Sequence, residues 1–216
     1  MPLIVVSARC SKTGKVPSSV GAAALPPDGH FAWRYPNTPP ELKSQWDAKT
    51  ATTITKGAVM MYQDEHHMTV DGIAGPAVWK SLMQDAIKGT TPHAGYSYVY
   101  VHENVPQKMT LWHNGRIVIT SPGNTGIASA PTALGTYPVF EHLRVTTMSG
   151  TNPDGSHYND PGIQYVSYFN GGDALHAFPR ASFGTPQSLG CVELPLAAAA
   201  EVWPYTPIGT LVTIED

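Results

Sequence analysis

Leu175-His176-Ala177-Phe178, then a loop carrying Pro179, Gly184 and Pro186, then Ser188-Leu189-Gly190-Cys191-Val192-Glu193-Leu194, is the stretch that decides how this chain reads. Thiol chemistry on a carbonyl needs a sulfur nucleophile, a base to deprotonate it, and donors for the oxyanion that forms. Cys191 supplies the sulfur. Gly190 before it lets the backbone approach a substrate without a side chain in the way, and the N–H groups of Gly190 and Cys191 are natural oxyanion donors. His176 stands fifteen residues upstream, at the end of an expected strand, a rigid platform for a base. The helix expected after Pro195 would bring a positive end that favours a thiolate. The alternative is a buried structural cysteine, since free cysteines are among the most buried residues.

Working outward, the flanking sequence is β-rich. Tyr96 to Glu103 is dense in Tyr and Val, and Met109–His113 and Arg116–Thr120 flank Asn114-Gly115, a strong hairpin signal. Further strands are expected over Thr136–Thr147, Ile163–Phe169, Ala174–Phe178 and Thr210–Ile214, with a short helix over Leu196–Trp203. Residues 149–162 read as a long polar loop, either a lid or a series of turns.

Upstream, the pattern changes. Residues 41–90 read as a mostly helical module: Thr53–His66, a turn at Val70-Asp71-Gly72-Ile73-Ala74-Gly75, then a helix opened by Pro76 and ended by Gly89. Val78, Trp79, Leu82, Met83 and Ala86 form its apolar stripe. Residues 1–40 are punctuated by Pro and Gly and read as an arm or linker, with Phe31, Trp33 and Tyr35 alternating as in a short strand.

Composition narrows the function. The chain has 216 residues, a net charge of -3 and no basic run, which leaves nucleic acid without an electrostatic footprint. No apolar run approaches the ~20 residues of a membrane span. Only two cysteines are present, too few for a disulfide framework, and Arg9 argues against lipidation at Cys10. Asp64, Glu65, His66 and His67 cluster, but sequence neighbours face different sides of a helix, and no H-E-x-x-H, P-loop or G-x-G-x-x-G is present. Neither a metal nor a cofactor is expected.

The His176 and Ser188-Leu189-Gly190-Cys191 segments resemble the signature of the L,D-transpeptidase (YkuD-like) family. Asn124-Thr125-Gly126 and Pro131-Thr132-Ala133-Leu134-Gly135-Thr136-Tyr137 resemble its earlier element, and Gly209 to Ile214 its closing strand. The resemblance covers about 96–216. It implies a mainly β catalytic domain, a YkuD-like β-sandwich or barrel with short helices. It further implies Cys191 as nucleophile, His176 as base, Gly190 and Ser188 as parts of the nucleophile turn, and the Ala177 carbonyl as the group orienting the imidazole. Two departures stand out. Leu189 occupies the place of a second histidine, and Glu193 that of an Asn or Arg. Val70 to Leu82 resembles the motif of a small all-α peptidoglycan-binding module.

These resemblances imply an extracytoplasmic enzyme, in the cell wall or secreted, acting on peptidoglycan tetrapeptide stems. It would close 3→3 cross-links through a Cys acyl-enzyme, and carbapenem-type inhibitors would acylate it. The alternatives are an L,D-carboxypeptidase on the same stems, or a non-catalytic peptidoglycan-binding protein. Tyr165, Tyr168, Phe178 and Arg180 are the expected substrate contacts, with Arg180 forking onto a stem carboxylate.

Overall fold

The computed structural model describes residues 3–7, 30–47, 50–90 and 95–216. Cys10 and most of the 1–40 arm lie outside them. Strand β1 (Leu3–Ser7) pairs antiparallel with β2 (His30–Trp33), in keeping with the alternating aromatics. Helix α1 (Pro40–Lys43) follows.

Helix α2 (Thr53–Glu65) starts at a capping box in which Thr52 and Thr55 satisfy each other's backbone N–H groups. Helix α3 (Pro76–Lys88) opens on Pro76 and stops at Gly89, whose φ of 70° is the left-handed cap a side chain resists. The turn between them is organised by Asp71, whose carboxylate accepts from Gln63 Nε2 at 2.6 Å and from the Ile73 N–H at 2.8 Å. The stripe expected on α3 is not a core. Only Val78 is buried, while Trp79 is 57% and Met83 54% exposed. The side of α3 toward α2 is instead tied by polar contacts, the Tyr62 hydroxyl donating to Asp85 Oδ2 at 2.6 Å and accepting from Ser81 Oγ at 2.7 Å.

The β domain is two packed sheets. The first, of five strands, runs β5 (Arg116–Pro122), β4 (Lys108–His113), β3 (Ser97–His102), β11 (Leu211–Glu215), β6 (Gly135–Pro138). The second, of four, runs β10 (Val192–Leu194), β9 (Asp173–Ala177), β8 (His157–Asn170), β7 (Glu141–Thr151). Asn114 and Gly115 both take positive φ, 47° and 88°, and make the two-residue turn between β4 and β5. Val99, Val101, Leu111, Leu175, Val192, Leu194, Val212 and Ile214 fill the space between the sheets with the apolar side of α4 (Leu196–Val202).

Two segments depart from the sequence reading. Thr136–Thr147 is not one strand. It breaks at Val139-Phe140, where the chain leaves the first sheet for the second. The polar stretch 149–162 is mostly strand, because β7 and β8 pair out to Thr151↔His157 and close on a short turn. Pro161 and Gly162 fall in the register shift between Thr146↔Ile163 and Met148↔Asp160, a bulge that tolerates a missing N–H.

The helical segment is seated on the first sheet. Leu42 and Ile54 join Tyr96, Tyr98, Trp112 and Leu211 in a second core. Gly57 lies so close to the Gly209 carbonyl that a Cβ there would meet it, and Leu211 Cδ2 lies within 2.9 Å of the same point. Gly57→Ala should therefore destabilise by about 2 kcal/mol through overpacking, despite alanine's better helix propensity. A rise or no change in thermal midpoint would mean that α2 is not held against β11.

Candidate active site

Cys191 and His176 line one cavity of about 590 Å³, together with Tyr158, Asp160, Tyr168, Asp173, Phe178, Arg180, Ser188, Leu189 and Glu193. Parallel pairing of β9 and β10 places His176 opposite Glu193 and Leu175 opposite Val192. The three residues of β10 thus lie beside the last three of β9, and Cys191, just before β10, enters alongside the strand that carries His176.

The turn that carries Cys191 is shaped by small groups. Ser188 Oγ accepts from the Gly190 N–H at 3.2 Å and donates to the Cys191 carbonyl at 2.5 Å. Gly190 has a φ of 115°, and a Cβ there would run into Asp173 Oδ1, so the position requires glycine. The Gly190 N–H, expected as an oxyanion donor, is spent on Ser188 inside the turn, which leaves the Cys191 N–H for that role. Asp173 also accepts from the Ala133 N–H and from Asn170 Nδ2, both at 3.3 Å, tying the 131–133 segment to the turn. Burial holds the Asp173 carboxyl above the usual range.

The earlier motif is scaffold. Asn124 pairs with Glu193 through the backbone in both directions at 2.9 Å, and its side-chain oxygen accepts from the Gly184 N–H at 2.9 Å. Gly126 bridges to Ser188, and its N–H donates to Thr132 Oγ1 at 2.8 Å. These bonds brace both the loop after His176 and the segment holding Cys191.

His176 is buried, 3% exposed. One ring nitrogen, Nδ1, lies 2.9 Å from the Ala177 carbonyl, so it carries the proton and Nε2 keeps its lone pair. Burial pushes the imidazole pKa below its ordinary value, partly countered by that carbonyl and by Glu193. A neutral ring with a free Nε2 is the form a general base needs.

The Cys191 thiol sits 3.6 Å from the Gly172 carbonyl, its hydrogen-bond acceptor. Burial pushes the thiol up to about 12; the Ala174 N–H works the other way, and the Asp173 and Glu193 carboxylates add to the rise. The expected thiolate-favouring helix end does not act here. Strand β10 stands between Cys191 and the seven-residue α4, and burial outweighs what a helix end supplies. These shifts favour a thiol beside a neutral imidazole.

Two of the expected substrate contacts have other partners. Arg180 lines the cavity, but its fork already grips Glu193, Nε to Oε2 and Nη2 to Oε1, both at 2.7 Å. Tyr165 does not line the cavity. It packs toward the main core, with Arg144 4.3 Å above its ring and Trp203 edge-on. Tyr168 and Phe178 do line it. Tyr158, Asp160 and Asp173 went unnoticed in the sequence. Tyr158 and Asp160 sit on the stretch taken for a loop, and Asp173, three residues before His176, gave no motif signal.

This arrangement has known counterparts. The family model of the L,D-transpeptidase catalytic domain, YkuD, matches residues 96–214. Among curated proteins, none matches the sequence. Solved structures share the fold. An L,D-transpeptidase from Mycobacterium smegmatis is 19% identical at a TM-score of 0.51, over 57% of this chain and 60% of that one. The catalytic domain of the Enterococcus faecium L,D-transpeptidase is 23% identical at 0.50, over 57% of this chain and 99% of that one. L,D-transpeptidase 3 from Mycobacterium tuberculosis, with a faropenem-derived adduct, is 19% identical at 0.51, over 57% and 61%. The chain thus spans about three fifths of the length of the first of these. With the match covering more than half of its residues, and its cysteine and histidine lining one cavity, this chain belongs to the family of YkuD L,D-transpeptidase catalytic domains.

Proposed function

We propose that the protein is an extracytoplasmic cell-wall L,D-transpeptidase that forms 3→3 cross-links in peptidoglycan through an acyl-enzyme on Cys191. The observation that carries this reading is the shared cavity. In it a cysteine on a glycine-shaped turn faces the same space as a buried histidine whose Nδ1 is already engaged. In the first step His176 Nε2 takes the thiol proton as sulfur adds to the carbonyl of the third stem residue. The Cys191 N–H receives the oxyanion, and the terminal D-Ala leaves with the proton from His176. In the second step an amine of a neighbouring stem attacks the thioester, gives its proton to His176, and releases the thiol. Water in place of the amine gives the carboxypeptidase reaction.

Tyr168 and Phe178 offer apolar walls to the stem, as does Tyr158. The two-helix segment with its exposed Trp79 is read as a wall-targeting unit, which would raise the local concentration of stems. Among the described residues no helix is long and apolar enough to cross a membrane.

The test is intact-protein mass spectrometry after incubation with a carbapenem, followed by tetrapeptide stems with an acceptor amine. The expected result is one covalent adduct lost in Cys191→Ala, and dimeric muropeptides from the stems. A reduced, alkylatable Cys191 that takes no adduct would instead favour a non-catalytic wall-binding protein. Monomeric tripeptides alone would favour the carboxypeptidase.

A further inference from the structure

His176 sits beside a linked set of side chains on β9, β10 and the loop that follows it. Glu193 is its cross-strand partner on β10, only 4% exposed. Arg180 holds both oxygens of Glu193, and its Nη2 also donates to the Gln187 carbonyl at 3.0 Å. The same guanidinium lies 4.7 Å above the Phe178 ring, and Phe178 stands edge-on to the imidazole, centroids 5.9 Å apart at 81°. The circuit runs from His176 to Phe178, Arg180, Glu193 and back to His176. A bidentate fork plus a cation over a ring is a rigid joint, because a planar guanidinium has one orientation that meets both demands. It also ties the two ends of the loop together, through the bond from Arg180 to the Gln187 carbonyl.

We propose that the Arg180–Glu193 pair is a positioning device for the base: it fixes the His176 ring, and its buried carboxylate stabilises the imidazolium formed when Cys191 yields its proton. The proposal rests on reading His176 as the base. Burial alone disfavours a charged imidazole, and Nδ1 contacts only a neutral carbonyl. Glu193 is the strongest compensating charge that acts on it. The other charges acting on His176 are Arg180, which opposes protonation, and Asp160 on β8, which favours it more weakly than Glu193. Cys191 shares the cavity and carries no charge at rest. Leu189 offers no second imidazole on the nucleophile side, so the support for a charged His176 comes from β10.

The experiment compares wild type, Glu193→Gln and Arg180→Lys. One readout is the His176 titration midpoint by NMR, which needs no activity. The other is the rate of carbapenem acylation of Cys191 against pH. Glu193→Gln is expected to lower the His176 midpoint by about one unit and to slow acylation about tenfold, a unit being a tenfold change in proton affinity. Its acid limb should move to lower pH. Arg180→Lys keeps the charge but loses the fork, so it should leave the His176 midpoint close to wild type while slowing acylation less than Glu193→Gln does. An unchanged midpoint in Glu193→Gln, or a rate loss equal in both variants and explained by their folded fraction, overturns the proposal. If Glu193→Gln does not fold, the double variant Arg180→Gln/Glu193→Gln replaces it. The same downward direction is expected there, because Glu193 acts on His176 more strongly than Arg180 does. A wild type that forms no adduct while its midpoint still drops on Glu193→Gln would count against the proposed function and leave the pairing intact.

Discussion

Replacing His176 with alanine is expected to slow acylation of Cys191 about 1,000-fold at neutral pH, within the range that a positioned general base contributes. The size follows from the thiol. With a pKa pushed up to about 12, a pH 7 solution holds on the order of one thiolate in 100,000. A route through free thiolate is starved, and the proton must leave to a neighbour during attack. Burial holds the His176 midpoint below the ordinary 6.5, so the neutral base is available throughout the neutral range. Wild-type acylation should therefore fall only on the acid side of 6.5. The alanine variant should instead gain about tenfold per pH unit, without levelling before the thiol titrates. A stopped-flow profile from pH 5 to 10 reads both. Equal rates at pH 7, or a variant profile that levels below pH 9, would show that His176 is not the base or that the thiol is far more acidic than its burial implies.

Gly190→Ala should be nearly as damaging, through geometry rather than proton transfer. The residue holds a φ of 115°, which a side chain resists, and its Cβ would enter the space of Asp173 Oδ1. Backbone strain of this kind costs on the order of 1–3 kcal/mol. The turn has little slack, since Ser188 Oγ bonds on both sides of it. Displacing the sulfur and the Cys191 N–H by about 1 Å is enough for a loss on the order of 100-fold in acylation. Thermal melting and adduct formation, measured together, separate the effects. The double variant Asp173→Ala/Gly190→Ala should regain part of the stability, because the clash is gone, and little of the rate, because the φ requirement stays. Wild-type acylation by Gly190→Ala would mean that the turn is softer than its bonds suggest.

The sequence by itself determined the local rules. Asn114-Gly115 forced positive φ at two residues and so a hairpin. Pro76 and Gly89 bounded a helix because one lacks the N–H that a first turn does not use and the other accepts the left-handed cap. Ala177, without a hydroxyl, left only its carbonyl to hold the His176 ring, and the carbonyl is what holds it. Gly190-Cys191 announced a turn built for close approach. What tertiary structure alone decided is everything that depends on which strand lies beside which. Glu193 became a partner of Arg180, which the sequence had offered to a substrate carboxylate, and β10 pairing in parallel with β9 set that carboxylate beside His176. Asp173 met Gly190 across the second sheet. The stretch from 149 to 162 became strand because its partner segment was long enough to pair with, which outweighs low local propensity. Trp79 stayed exposed because α3 spends its inner face on α2. The acidity of Cys191 followed the same rule: a helix nearby in sequence suggested a thiolate, and the desolvation imposed by packing around the sulfur set the opposite direction.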